Sequence, residues 1–208
     1  MININIEGDV KENNISFSSH RKYKRKLFND LLSSLLTVQG RKHIFKTENE
    51  KNDDLTDSLK DKGLYVADQS RFGRSGSDKQ EDYDSGELDI VICDSENYAN
   101  LISIIEAFEL SSVGKKNRII KSHIDKLLFK YDTAGNIENF VVIYSKAKRF
   151  DRLWQKYKAH INDVIFPKET NIKELELSKS EIKAGLTEYH RSGKKLRLYH
   201  IFVNMYIG

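Results

Sequence analysis

Segments of helical and strand periodicity alternate along the chain, which predicts an α/β fold with a mixed central sheet flanked by helices. Two observations carry that class. Up to Gly63 the apolar residues recur at helical spacing, and LYVADQ, ELDIVICD and LISIIEAFEL then read as three strands. Further on, KKNRIIKSHIDKLLFKYD has a helical period and is followed by NFVVIYS, a short apolar run of the kind found in a buried sheet.

In chain order, ININI alternates like a short strand and GDVKENNIS reads as turns, so residues 1–18 form an appendage to which no function is attached. From Ser19 to about Gly40, Leu27, Phe28, Leu31, Leu32, Leu35 and Leu36 describe an amphipathic helix behind the basic run HRKYKRK. Thr47 followed by Glu50 has the form of a capping box and Gly63 that of a helix stop, so a second helix lies between them. RFGRSGSDKQEDYDSG is a polar loop. After the strands, Ile120, Ile124, Leu127, Leu128 and Tyr131 share a helical face, and TAGN turns the chain into NFVVIYS. RFDRLWQKYKAHINDVIF is a further amphipathic helix, running to the only proline, Pro167. Residues 168 to about 192 look helical in pieces, and LRLYHIFVNMYI closes the chain as a strand. With no internal repeat and no long flexible linker, residues 19–208 are expected to form a single domain.

A chain of 208 residues with 38% hydrophobic content can bury a proper core. Its charges nearly cancel to a formal +4, so nucleic-acid binding would depend on local clusters rather than on a uniformly basic surface. Cys93, the single cysteine, excludes an internal disulfide framework and a cysteine-based zinc site. No run approaches the length of a membrane span and MININIEGDV lacks a secretion signal, so a cytoplasmic protein with no membrane partner is expected.

Asp89 opens the apolar run in ELDIVI, and Glu106 is embedded in SIIEAFEL. A carboxylate within an apolar strand is costly unless it is paired or holds a metal, and two neighbouring strands can bring two carboxylates to one divalent ion. Singly, Asp89 has an ordinary explanation as a turn residue and Glu106 as a buried ion pair; their order and flanking elements point to a site. On the preceding helix, Glu48, Asn52, Leu55 and Leu59 share one face, whereas Glu50 serves the cap. Glu48 is therefore the candidate helix acid, although a first-turn acid is also favoured by the helix dipole. Glu87 and Glu109 are expected to be solvated.

The order helix, strand, strand with Asp89, strand with Glu106, helix, strand resembles the PD-(D/E)XK nuclease superfamily from about Thr47 to Ser145, the core of the domain at about 47–145. That resemblance implies a restriction-endonuclease-like fold and Mg²⁺- or Mn²⁺-dependent cleavage of DNA or RNA, with Asp89, Glu106 and Glu48 as metal ligands. DQSRFGRSG, GELDIVI, IEAFEL and HIDKLL together also resemble nuclease-like domains of bacterial anti-phage systems. The implied partners are nucleic acid, DNA first, and a protein of a defence complex; a homo-oligomer is compatible with both. One departure stands out: the family's lysine, two residues after the Glu, is Phe108 here. Phe108 can neither orient an attacking water nor stabilise phosphate charge. Lys121 and Lys126 on the following helix are the candidate replacements, against the plain alternative of solvated helix charges. Phe108 also supports a different class, a degenerate nuclease fold that acts as a nucleic-acid-binding or protein-interaction module.

Gly76-Ser77 followed by Glu87-Leu88-Asp89 also resembles the metal-holding pattern of nucleotidyltransferases, which would need Glu87 and Asp89 on one metal. In the polar loop, Arg71 and Arg74 among glycines and serines suit phosphate contact. The basic run His20 to Lys26 reads as a solvated helix face, and Phe140, Tyr144, Trp154 and Tyr157 read as core. His123, His160, His190 and His200 lack zinc-site spacing, so each is expected to be structural.

Overall fold

In the computed structural model, residues 15–67, 90–94, 100–114, 118–165 and 171–208 are described, with side chains described from Arg25 onward except at 164–165. Helix α1 (Ile15–Gly40) begins four residues earlier than the periodicity suggests and buries Leu27, Phe28, Leu31, Leu32, Leu35 and Val38. Each fully buried leucine contributes about 2 kcal/mol of apolar burial. Helix α2 (Glu48–Asp61) starts where expected. The Thr47 side chain accepts from the Glu50 N–H while the Glu50 carboxylate accepts from the Thr47 N–H, a reciprocal cap worth about 1 kcal/mol.

Strands β1 (Tyr65–Ala67), β2 (Ile90–Cys93) and β3 (Leu101–Leu110) form an antiparallel meander. Helix α3 (Ile119–Asp125) and a π-helical turn (Lys126–Tyr131) then cross to β4 (Glu138–Ser145), which lies parallel to β3. As expected, Ile120, Ile124, Leu127 and Leu128 are buried, but the switch to π-helix rotates the last turn and leaves Tyr131 half-buried. Helix α4 (Phe150–His160) follows.

The stretch from residue 168 to 192 departs from the sequence expectation. Instead of helical pieces it forms β5 (Lys173–Leu175) and β6 (Ile182–Arg191), and β6 turns directly into β7 (Lys194–Asn204). Lysine, glutamate and alanine there favour helix locally, but a strand buries Ile182 and Ala184 on the α1 and α2 side of the sheet and Tyr189 on the α3 and α4 side. Pairing of β6 with β7 from Ile182–Val203 to Arg191–Lys194 outweighs the local preference. The chain therefore ends in strands rather than in a helix and a strand.

The seven strands make one mixed sheet in the order β1-β2-β3-β4-β7-β6-β5, parallel at β3-β4-β7 and antiparallel elsewhere. The fold is α/β, a mixed sheet flanked by four helices among the described residues. Alternation along β4 assigns the two faces. Phe140, Val142 and Tyr144 join the core with α1 and α2, whereas Val141 and Ile143 join the one with α3 and α4. Every residue of β4 is buried, which explains its unbroken apolar run. Phe140, Tyr144, Trp154 and Tyr157 are core residues, as their positions suggested.

Gly185 on β6 is required by packing. A Cβ there would lie 2.8 Å from Ile172 Cγ1 and 3.1 Å from the Trp154 ring. Gly185→Ala should therefore destabilise the protein by about 1–3 kcal/mol, read from urea unfolding. A variant as stable as the parent would show that Ile172 and Trp154 move aside at no cost.

Candidate functional site

Glu106 is the sixth residue of β3 and projects to the α3 side together with Ile104 and Phe108. Only 3% exposed, it has one oxygen, Oε1, 2.6 Å from His123 Nδ1 of α3. The other, Oε2, is buried with no hydrogen-bond partner among the described residues. Burial pushes the carboxyl up to about 8; Lys126 pulls it back down and Glu48 pushes it up again. Glu106, Lys126 and Glu48 thus interact electrostatically. In the short contact to His123 the donor is either the carboxyl or Nδ1, according to the tautomer of the ring.

Phe108 stacks on the His123 ring with centroids 4.4 Å apart and planes 15° from parallel. The imidazole is thereby fixed between an apolar ring and a carboxyl. Lys126 follows α3 directly and opens the π-helical turn, a form of helix that recurs at functional sites. Across the strand edge, Glu48 at the capped start of α2 accepts the Glu109 N–H at 2.8 Å. That bond ties the helix acid to the strand carrying Glu106.

Glu109 is not the solvated acid expected. Buried Lys51 donates to it at 2.7 Å, and Lys146 pairs with its other oxygen. Burial raises its pKa, but the hydrogen bonds from Lys146 and Lys51 outweigh that and hold it below the usual carboxylate range. Lys51 also donates to the Thr47 carbonyl at 2.6 Å, which locks the start of α2 against β3. This lysine escaped the sequence reading, because a buried lysine on an amphipathic helix looks like any surface charge until its partner on another element is known.

Comparison of the chain with protein-family models, with curated proteins and with solved structures gives no match. The site therefore rests on its own geometry.

Of the proposed site residues, Glu48, Glu106 and Lys126 are brought together. Lys121 is instead exposed and paired with Asp125 one helical turn on. Asp89, Glu87, Arg71, Arg74, Gly76 and Ser77 lie outside the described residues. Among the described residues, no group of three or more His, Cys, Asp or Glu side chains gathers as a metal-holding cluster. His123, expected to be merely structural, is in contact with Glu106; its spacing of three residues from Lys126 was the available signal. His200 is structural as expected: it is buried between Tyr157 and Thr187, and burial pushes it down to about 3. Cys93 is free and buried. No helix among the described residues is long and apolar enough to cross a membrane.

Proposed function

We propose that the chain is a metal-dependent nuclease domain of restriction-endonuclease-like type that cleaves phosphodiester bonds of DNA or RNA. The observation that carries this reading is Glu106, a buried strand carboxyl with an unpartnered oxygen, on which the charges of an acid, Glu48, and a base, Lys126, both act. The element order α2-β1-β2-β3-α3-β4, with β4 parallel to β3, is the order the resemblance calls for.

The residues suit a hard divalent cation such as Mg²⁺ or Mn²⁺. Glu106 Oε2 is an orphaned oxygen donor and Glu48 supplies a second carboxylate. The last described β2–β3 pair is Ile90 with Ile105, and the next residues in sequence are Asp89 and Glu106. Asp89 is the proposed third ligand. Such an ion, when bound, polarises the phosphate and lowers the pKa of water. Lys126 sets a positive charge beside Glu106, supplying the charge that Phe108 cannot. His123 fixes the Glu106 carboxyl through Oε1 and leaves Oε2 for the ligand. A DNA substrate, a reducing cytoplasmic setting and a role in anti-phage defence belong to the same proposal.

Purified protein should nick or degrade DNA or RNA with Mg²⁺ or Mn²⁺ and not with EDTA. Asp89→Ala should abolish the activity, and Lys126→Ala should lower the rate by about 10²–10³, the usual cost of one preorganised charge. A second reading, a degenerate fold that binds without cleaving, is favoured by one observation: Phe108, at the sequence position of the family's lysine, stacks on His123, and His123 rather than a lysine contacts Glu106 Oε1. Absence of cleavage with either ion, together with no Mn²⁺ binding by calorimetry, would decide for it.

A further inference from the structure

The hairpin of β6 and β7 ends in the sequence His-Arg-Ser-Gly-Lys-Lys, with Arg191 opposite Lys194 and His190 opposite Lys195. Ser192 and Gly193 have φ of 50° and 77°, as a tight two-residue hairpin turn requires. Arg191 anchors this tip. Its Nη1 donates to the Leu128 carbonyl at 3.0 Å and to the Asp132 carbonyl at 2.6 Å, at the C-terminal end of the π-helical turn. The hairpin tip and the turn are therefore fixed side by side.

On this joined surface, Phe129 is 71% exposed, and Lys130 and Lys194 are exposed and enter no ion pair among the described residues. The nearby acids are already engaged. Asp132 is buried and takes its hydrogen bonds from Asn136 and Asn139, while Glu188 pairs with Lys195, Arg197 and Lys173. Asp125 is paired with Lys121. What faces outward is positive charge beside an open aromatic ring. Lys126, at the other end of the same turn, interacts with Glu106.

We propose that the hairpin tip and the π-helical turn form one surface that binds single-stranded nucleic acid, with Lys130 and Lys194 on phosphates and Phe129 against a base. The single strand is favoured because Phe129 offers a stacking face that only an unpaired base can use. That the bound strand leads to Glu106 rests on the nuclease reading; the binding itself does not.

The test is fluorescence anisotropy with a labelled oligonucleotide, alone or annealed to its complement, in EDTA so that no cleavage occurs. The double variant Lys130→Ala/Lys194→Ala should bind the single strand about tenfold more weakly, and its log–log salt slope should fall by about 1.4, roughly 0.7 per lost phosphate contact. Phe129→Ala should weaken single-strand binding by about tenfold and leave duplex binding unchanged. Lys60→Ala/Lys179→Ala removes equal charge away from the tip and should stay within about twofold of the parent. Unchanged affinity in the first double variant overturns the surface, as does displacement of the oligonucleotide by polyglutamate at equal charge. Equal loss of duplex binding in Phe129→Ala overturns the single-strand assignment. Binding that depends on these residues without divalent-dependent cleavage would sink the nuclease reading and leave the surface standing. Cleavage that is indifferent to Phe129, Lys130 and Lys194 would overturn only the statement that the bound strand leads to Glu106.

Discussion

Glu106→Gln is expected to abolish cleavage and at the same time to make the protein more stable at alkaline pH. In the folded chain burial raises this carboxyl to about 8, against 4.5 for the ordinary group. Between those values the unfolded chain has released the proton that the folded chain still holds, so stability falls as pH rises. Below about 4.5 this penalty is absent, and above about 8 it is complete, on the order of a few kcal/mol. Gln cannot ionise and escapes it.

Melting curves at pH 5 and pH 9 should accordingly diverge, with the variant higher by up to about 10 °C at pH 9 and little different at pH 5. Mg²⁺ or Mn²⁺ should raise the melting temperature of the parent at pH 8 and raise that of Glu106→Gln much less, because the variant lacks one of the three proposed carboxylate ligands. Parallel pH profiles of the two proteins would mean that Glu106 is ionised throughout against a charged His123, and the argument from burial would fall. This distinguishes the two descriptions of the 2.6 Å contact, a protonated carboxyl on a neutral ring or an ion pair.

Asp132→Ala should cost about 3 kcal/mol of stability and lower the melting temperature by roughly 6–12 °C. The side chain is 0% exposed and closes the π-helical turn. Oδ1 accepts from the Asn136 backbone N–H and side-chain amide, both at 2.8 Å, and Oδ2 accepts from Asn139 at 2.8 Å. Asn139 in turn accepts the Ile104 N–H at 3.0 Å, so the network reaches β3 two residues before Glu106. Alanine would leave these amide donors without an acceptor in the interior, whereas Asp132→Asn keeps one acceptor oxygen and should cost about 1 kcal/mol. Urea unfolding that finds Asp132→Ala within 1 kcal/mol of the parent would show that water or a neighbouring acceptor replaces the carboxylate.

The sequence was most legible where one chemical pattern served both local and tertiary structure. Thr47 and Glu50 fixed the start of α2, and the apolar runs of β2, β3 and β4 left no competing use for those residues. Residues 173–191 were illegible for the opposite reason, since their local helical preference yields to a strand partner, β7, that follows later in the chain. The candidate site divides in the same way. Glu106 could be singled out because a carboxylate inside an apolar strand is anomalous in any fold. Glu109, three residues on, reads in the sequence as a solvated acid, because the lysines that hold it come from α2 and from the end of β4.

By itself, then, the sequence determined that a sheet with helices would form, that α2 would begin at Glu48 and that Glu106 would be an acid in apolar surroundings. Periodicity and capping are properties of neighbours along the chain, and that is where these conclusions came from. Only the tertiary structure paired Lys121 with Asp125 and set the charge of Lys126 against Glu106, placed His123 on Glu106 and Phe108 on His123, and joined the hairpin tip to the π-helical turn through Arg191. Each of those depends on the direction of a side chain across a sheet or a helix turn, and on charges meeting from elements far apart in sequence. A buried carboxyl acquires its proton affinity from such encounters, so the chemistry of Glu106 belongs to the fold and not to its immediate sequence.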